Sequence, residues 1–415
     1  TSFDSLMTKR IFNVLLIATK YDSFMLEDDG RINEQIFNEY TSLNLSYPPR
    51  FTQVVTDEDA LRELEDNHYE LIIQMPNMDE VDMFATATDI KKLYPDTPFV
   101  VLTPFSREVS KRLSFEDLSG VDYVFSWLGN PDLLLAIIKL IEDSMNVEHD
   151  TENVGVQVIL LIEDSIRFYS SALPTLFKII MEESKDFSKE ALNEHQQKLR
   201  MRGRPKIMLA RTYEEAVNIY TRYYNNILGV VTDMSYSHNG AKDKLAGYHF
   251  TKWIRSKKRF VPVVFTSSEI SNKVYADELS CSFIDKNSKS FPRDLKKQVV
   301  NNFGFGDFLI INPKTGEEIY RIKNLKDLQK NIFSIPTESL IYHLSNDHFS
   351  RFFYSRAMFP IAEWLKKIDV SDYKTMDEAR EMIYDIIIKT LGLLPFLIKI
   401  DLMNSRILRE WGMAL

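Results

Sequence analysis

The chain has 415 residues, 44% of them hydrophobic and 12% aromatic; that is enough apolar material for two or three buried cores and excludes a disordered chain. A formal net charge of -9 argues against a general nucleic-acid or anionic-membrane surface, and no apolar run reaches the roughly 20 residues that cross a bilayer. The lone cysteine, Cys281, excludes an internal disulfide and a cysteine-rich metal site, and fits a reducing, cytoplasmic setting.

No signal peptide opens the chain, which begins on Thr1 as a piece of a longer protein would. Residues 1–147 alternate strand and helix. The strand candidates are Phe12–Ala18, Arg50–Val55, Tyr69–Met75, Thr97–Thr103 and Val121–Trp127. Between them lie amphipathic stretches, Asp57–Asn67 and Asp79–Tyr94, and after them Pro131–Met145 carries leucine and isoleucine at helical spacing. Residues 148–155 are acidic, lack apolar anchors and read as a linker.

The pattern then repeats with little residue identity. Its strands are Val156–Glu163, Lys206–Ala210, Ile227–Asp233, Phe260–Thr266 and Ser280–Asp285; its helices include Thr212–Tyr224, Ser268–Leu279 and Pro292–Phe303. Each half predicts a doubly wound α/β fold on a five-stranded parallel sheet. The second has a long helical insertion, Phe168–Arg204, whose basic end from His195 to Lys206 reads as a solvated helix end and loop. Residues 304–389 predict a β-hairpin with a Lys-Thr-Gly turn, then a helical connector that includes a capped start at Asp369–Ser371 and a helix over Thr375–Lys389.

In an open parallel sheet the carboxyl ends of the strands converge on one crevice. In the second half those ends carry Glu163-Asp164, Asp233, Thr266 and Lys286. A carboxylate can hold a phosphoryl group as an acyl phosphate if it has in-line access and charge neutralisation, which a hard cation such as Mg²⁺ supplies through oxygen ligands. The expected ligands are Glu163, Asp164, Asp233 and the Ser235 carbonyl. Asp233 is the expected phosphoacceptor, Lys286 the partner of the phosphoryl oxygens, and Thr266 a hydroxyl that swings toward the phosphate.

Residues 156–303 resemble a response-regulator receiver domain on those residues, with Phe283 where receivers carry an aromatic switch residue. Receivers usually have proline after the lysine, where this chain has Asn287, and the segment after Asp233 is longer than usual. At the matching positions, residues 10–147 offer Ala18 and Thr19, Gln74 or a neighbouring apolar residue, Thr103 and Trp127. The first half is therefore expected to be a pseudoreceiver: the fold kept, the metal and phosphoryl chemistry lost. Asp22 and the Glu27–Asp29 cluster read as a solvated loop. The expected role of this half is packing through its helix-four/strand-five face.

In the connector, His343, His348, Arg351 and Arg356 read as the polar outside of an aromatic packing face made of Phe349, Phe352, Phe353, Phe359, Ile361 and Trp364. The stretches GVQVILLIEDS, RMRGRPKIMLARTYEEA, SFIDKNSK, NFGFGDF, NPKTGEEI and HFSRFFYSRAMFP resemble the N-terminal region of proteins related to phosphoenolpyruvate synthase and pyruvate phosphate dikinase. That resemblance implies regulation of an attached or partner phosphotransferase, with a histidine kinase or a small phosphodonor upstream. The chain itself has no ATP-grasp glycine-rich segment and no phosphohistidine domain, so it is expected to be regulatory rather than an enzyme. A homodimer stays open. The rivals are an interaction scaffold with both halves silent, and a fragment of an enzyme of phosphoenolpyruvate synthesis. A dinucleotide-binding dehydrogenase is disfavoured because no GxGxxG follows a first strand. The tail from Thr390 to Leu415 breaks the helical pattern abruptly and is expected to come from a shifted reading frame.

Overall fold

A computed structural model of the chain describes residues 5–19, 32–42, 45, 47–76, 85–104, 118–189, 197, 200–257 and 260–392. The Glu27–Asp29 cluster, Asp22, the 77–79 loop, most of 190–199 and the tail from residue 393 lie outside them.

The first sheet holds β1 (Asn13–Ile17), β2 (Arg50–Val54), β3 (Leu71–Gln74), β4 (Phe99–Pro104) and β5 (Tyr123–Trp127) in the order β2-β1-β3-β4-β5, all parallel. Helices α1 (Ile32–Ser42), α2 (Asp57–Asp66) and α3 (Ala85–Leu93) connect its strands. The second sheet holds β6 (Val158–Ile162), β7 (Lys206–Ala210), β8 (Ile227–Asp233), β11 (Val263–Ser267) and β12 (Ser282–Asp285) in the order β7-β6-β8-β11-β12, again all parallel. Both orders are the 2-1-3-4-5 winding of flavodoxin-like receiver domains. The central strands are legible as unbroken apolar runs because helices cover both faces of such a sheet; every residue of β6 and β8 is buried. Helix starts follow capping chemistry: Thr56 accepts from Asp59 N–H at 3.1 Å, and Thr212 accepts from Glu215 N–H at 3.1 Å to open α6 (Tyr213–Arg222).

Between the sheets runs α4 (Asp132–Val154), a single 23-residue helix that ends at Gly155 in the left-handed region, φ 87°. The expected linker at 148–155 is thus largely its last turns. Those residues look solvated in sequence, but they complete a polar stripe that faces inward: Lys139, Glu142, Asp143, Asn146 and Asp150 are all buried. Asp150 accepts from Met7 N–H at 3.2 Å, Asn146 from Lys9 N–H at 3.0 Å and Glu142 from Ile11 N–H at 3.1 Å, so the stripe seats the N-terminal segment. On the other side Asp143 takes a two-pronged pair from Arg204 at 2.8 and 2.9 Å, and Lys206 Nζ lies 2.8 Å from Asp150. The basic stretch expected to be solvated therefore ends in two of the most buried cations of the described chain.

The described part of the Phe168–Arg204 insertion is α5 (Ile166–Ser188), which packs on α4 and on β5. The exposed edge of β5 is satisfied by it: Ser126 N–H donates to Ser170 Oγ at 2.9 Å, and the Tyr169 hydroxyl donates to the Val124 carbonyl. The first half meets the second through its strand-five edge; the helix-four part of the expected face falls at 105–117, outside the described residues. One apolar core runs through both sheets and into the C-terminal module.

After β8 comes an element not expected from sequence, a short antiparallel arm of β9 (Tyr236–His238) and β10 (Ala241–Asp243), and then the crossover helix α7 (Ala246–Arg255), whose bounds the sequence did not give. Then follow α8 (Lys273–Glu278), α9 (Phe291–Asn302) and the predicted hairpin of β13 (Phe308–Ile311) and β14 (Glu318–Ile322). The connector consists of α10 (Leu325–Asn331), α11 (Thr337–Ser345), α12 (His348–Tyr354), α13 (Phe359–Lys366) and a helix over 376–392. Its aromatic face is buried as expected, apart from the half-buried Trp364. His343 and Arg351, expected on the outside, are buried too, at 2% and 6% exposure. His343 is held by the Ile311 N–H and the His348 ring, and the arginines by the carbonyls of neighbouring loops. Arg356 donates to Gly304, Phe305 and Gly306 carbonyls at 2.7–3.2 Å, and Arg351 to the Phe260 and Asn346 carbonyls. Among the described residues no helix is long and apolar enough to cross a membrane.

Candidate receiver site at the strand ends of the second sheet

Parallel pairing brings the expected residues together. Thr266 pairs with Asp233 across β11 and β8, and Ile162 pairs with Thr232, which sets Glu163 beside Asp233. Carboxylate oxygens of Glu163, Asp164 and Asp233 all lie within 4.8 Å of one another. Lys286, two residues past Ile284 of β12, places Nζ 2.9 Å from Asp233 Oδ1 and pairs with Glu163 Oε2 as well. Both of these Asp233 contacts fall on Oδ1, from Lys286 Nζ at 2.9 Å and from Met234 N–H at 2.7 Å.

Burial dominates the electrostatics. It lifts the Glu163 carboxyl to about 7, against the pull of Lys286 and with a further push from Asp233. It also raises Asp233, again opposed by Lys286. The Thr266 hydroxyl donates to the Thr232 carbonyl at 3.3 Å, turned toward backbone. Phe283 is half-buried beside it on the neighbouring strand, level with Phe265.

Three further residues shape the site. Lys242, on β10, donates to both oxygens of Asp164 at 2.7 and 2.9 Å and to the Ser235 carbonyl at 2.8 Å. It thus bridges two of the expected metal ligands. Phe168 lies over Lys286, 4.3 Å from ring centroid to Nζ, and both line a cavity of about 270 Å³ with Thr266, Glu163 and Leu128 of the first half. Gly247 lets α7 approach the end of β8: a Cβ there would stand 2.1 Å from the Asp233 carbonyl oxygen. A glycine early in an amphipathic stretch was the only sequence signal for it, and Lys242 had none.

The donor set is all oxygen: three carboxylates and a carbonyl, already bridged by a cation in the form of Lys242. It fits a hard divalent ion. The first sheet offers nothing comparable among its described residues. Thr103 pairs with Ser126, and continuing the ladders from Ile17–Gln74 and Gln74–Val101 sets Thr19 and Pro76 level with Thr103. The position matching Asp233 is therefore the apolar neighbour Pro76 and not Gln74 itself, and the position matching Lys286 is Leu128 rather than Trp127. Strand register, invisible in an unaligned sequence, accounts for these shifts of one and two residues.

No protein-family model matches the chain, and no curated protein matches it. Among solved structures, a probable two-component system response regulator/GGDEF domain protein aligns at 13% identity over 70% of this chain and 97% of its own, with a TM-score of 0.29. NtrX from Brucella abortus in complex with ADP aligns at 8% identity over 86% of this chain and 95% of its own, with a TM-score of 0.27. Scores at this level carry no argument about function; the receiver fold rests on the two sheets themselves.

Proposed function

We propose that the second half of the chain is a phosphorylatable receiver and that Asp233 is its acceptor. The observation that carries this reading is Lys286 Nζ set between Glu163 and Asp233, with Asp164 beside them, at the carboxyl ends of three strands of a 2-1-3-4-5 sheet. A carboxylate oxygen of Asp233 attacks the phosphorus of a donor; an O–P bond forms, the donor's P–O or P–N bond breaks, and the donor's leaving group takes the electron pair. Mg²⁺, when held by Glu163, Asp164, Asp233 and the Ser235 carbonyl, neutralises charge on the phosphoryl oxygens. Lys286 then releases Glu163 to pair with the phosphoryl group. Thr266 gives up the Thr232 carbonyl to donate to it, and Phe283 on the adjacent strand follows that movement. The new charge of about -1.5 to -2 is what biases the switch.

In this reading the first half is a pseudoreceiver used for packing. The output is a phosphotransferase, attached or separate, of the kind that phosphoenolpyruvate synthase-related proteins carry. A histidine kinase or a small phosphodonor supplies the phosphoryl group. One observation favours the rival scaffold reading: Lys242 and Lys286 already pair with all three carboxylates. Acetyl phosphate with Mg²⁺, followed by intact mass, separates the two. A single phosphoryl adduct, lost in Asp233→Ala, is expected; no adduct would leave the scaffold.

A further inference from the structure

We propose that the arm after β8 binds one transition-metal cation of the zinc class through His238, Asp243 and His249. The site lies apart from the carboxylates at Asp233 and does not rest on their being phosphorylated.

The arm is a built element rather than a loose loop. Its turn residues Asn239 and Gly240 both have positive φ, 54° and 75°, the signature of a two-residue hairpin turn that matches strand twist. That turn fixes the register Ala241–His238 and Asp243–Tyr236. His238 is the last residue of β9, Asp243 the last of β10, and His249 lies in the first turns of α7. The three side chains thus come from three elements that the turn and Asp243 itself hold together.

Each ligand is oriented. The Tyr213 ring stacks on the His238 imidazole at 4.1 Å with 26° between planes, which fixes the ring. Asp243 Oδ1 accepts from Leu245 N–H at 2.9 Å, so Oδ2 is turned toward the two histidines. His238 Nδ1 lies 3.2 Å and His249 Nδ1 3.0 Å from that oxygen. Burial tends to raise the Asp243 carboxyl, but these hydrogen bonds outweigh it and hold it below the ordinary carboxylate range, in the anionic form that ligates.

The spacing suits a metal. All three ligand atoms lie within 4.8 Å of one another. A tetrahedral zinc ion, with bonds of about 2.0–2.1 Å, keeps its ligand atoms roughly 3.3–3.4 Å apart. The two nitrogen–oxygen edges, 3.2 and 3.0 Å, are already near that length, and the imidazole–imidazole edge lies within 4.8 Å. Two imidazoles and a carboxylate select zinc or cobalt over magnesium, which prefers oxygen throughout. Three protein ligands leave a fourth position for water. Strand alternation sends Lys242, between Ala241 and Asp243, to the opposite side, where it meets Asp164 and Ser235. A cation at the histidines would therefore pin the arm that carries Lys242.

The competing account is a carboxylate hydrogen-bonded by two imidazoles and nothing more. Titration of the chelator-stripped chain with Co²⁺, with Mg²⁺ in excess to fill any all-oxygen site, decides between them. Expected is one equivalent with the visible absorption of tetrahedral cobalt, displaced by Zn²⁺. His249→Gln and Asp243→Asn, the latter keeping the oxygen that caps Leu245, are expected to weaken binding by at least about tenfold. Metal-free melting of each variant should match the parent; if Asp243→Asn does not fold, His249→Gln alone decides, since its ring is half exposed. No saturable Co²⁺ binding, or binding unchanged in His249→Gln, would overturn the proposal.

Discussion

At the scale of single residues, the crevice at Asp233 is a problem of charge. Three carboxylates within 4.8 Å of one another repel, and Lys286 sits 2.9 Å from Asp233 and also pairs with Glu163. Asp164 is left to Lys242, which also holds the Ser235 carbonyl. A divalent ion that uses Asp164 and Ser235 must displace that ammonium. Lys242 is more than half exposed, so solvent screens the pair and its strength is modest. Removing the charge in Lys242→Gln should tighten Mg²⁺ binding by about two- to fivefold, the range of an exposed ion pair. Isothermal calorimetry reads this directly. Unchanged or weaker Mg²⁺ binding would mean that Lys242 is no competitor of the ion.

At the scale of elements, the connector stores a pair of neutral histidines. His343 Nε2 accepts from Ile311 N–H at 3.1 Å, so its proton sits on Nδ1 and is donated to His348 Nδ1 at 2.8 Å. Burial pushes His343 down to about 4; burial, then Arg351 and His343, hold His348 well below its ordinary value. In the unfolded chain both take up protons near pH 6.5. Their contribution to stability is therefore complete above about pH 6.5 and falls as the pH drops toward 4, by about 1.4 kcal/mol per unit for each histidine. Glu163, lifted to about 7, works in the opposite direction, so the difference between parent and His343→Gln is the readout. Urea midpoints from pH 7 to 5 should fall less steeply in the variant; equal slopes would refute the account. The central strands and every expected residue at the second sheet's strand ends were legible in the sequence, because buried parallel strands are unbroken apolar runs and the chemistry begins where each run stops. Two things were not legible. The β9–β10 arm is only three residues a side, too short for a period, with Asn239-Gly240 as its one signal. The inward stripe on α4, from Lys139 to Asp150, has the composition of a solvated face, and only the tertiary partners Arg204, Lys206 and the N-terminal segment reveal its direction.

At the scale of the whole molecule, that stripe joins the halves. α4 closes the first sheet, and its Asp143 and Asp150 receive the cations that open β7 of the second. α5, which starts two residues after Asp164, lies along the β5 edge through Tyr169 and Ser170. The halves are thus packed together around shared helices. Buried ion pairs are costly to form and costlier to break, because a lone charge is left without water. Asp143 accepts two bonds from Arg204 and a third from Ile207 N–H at 2.8 Å, with no solvent exposure. Asp143→Ala strands the guanidinium and a backbone donor and removes the farther of the two carboxylates beside Lys206, 4.0 Å away against 2.8 Å for Asp150; burial already disfavours the Lys206 charge. A loss of about 3–5 kcal/mol follows, a large part of the 5–15 kcal/mol or so that holds a typical domain folded. Removing the partner as well, in Asp143→Ala with Arg204→Met, takes away the stranded cation. The double variant should therefore unfold at a higher urea concentration than Asp143→Ala alone. If the two changes instead add, the pair contributes only as two separate packing groups, and the junction of the halves rests on its apolar core.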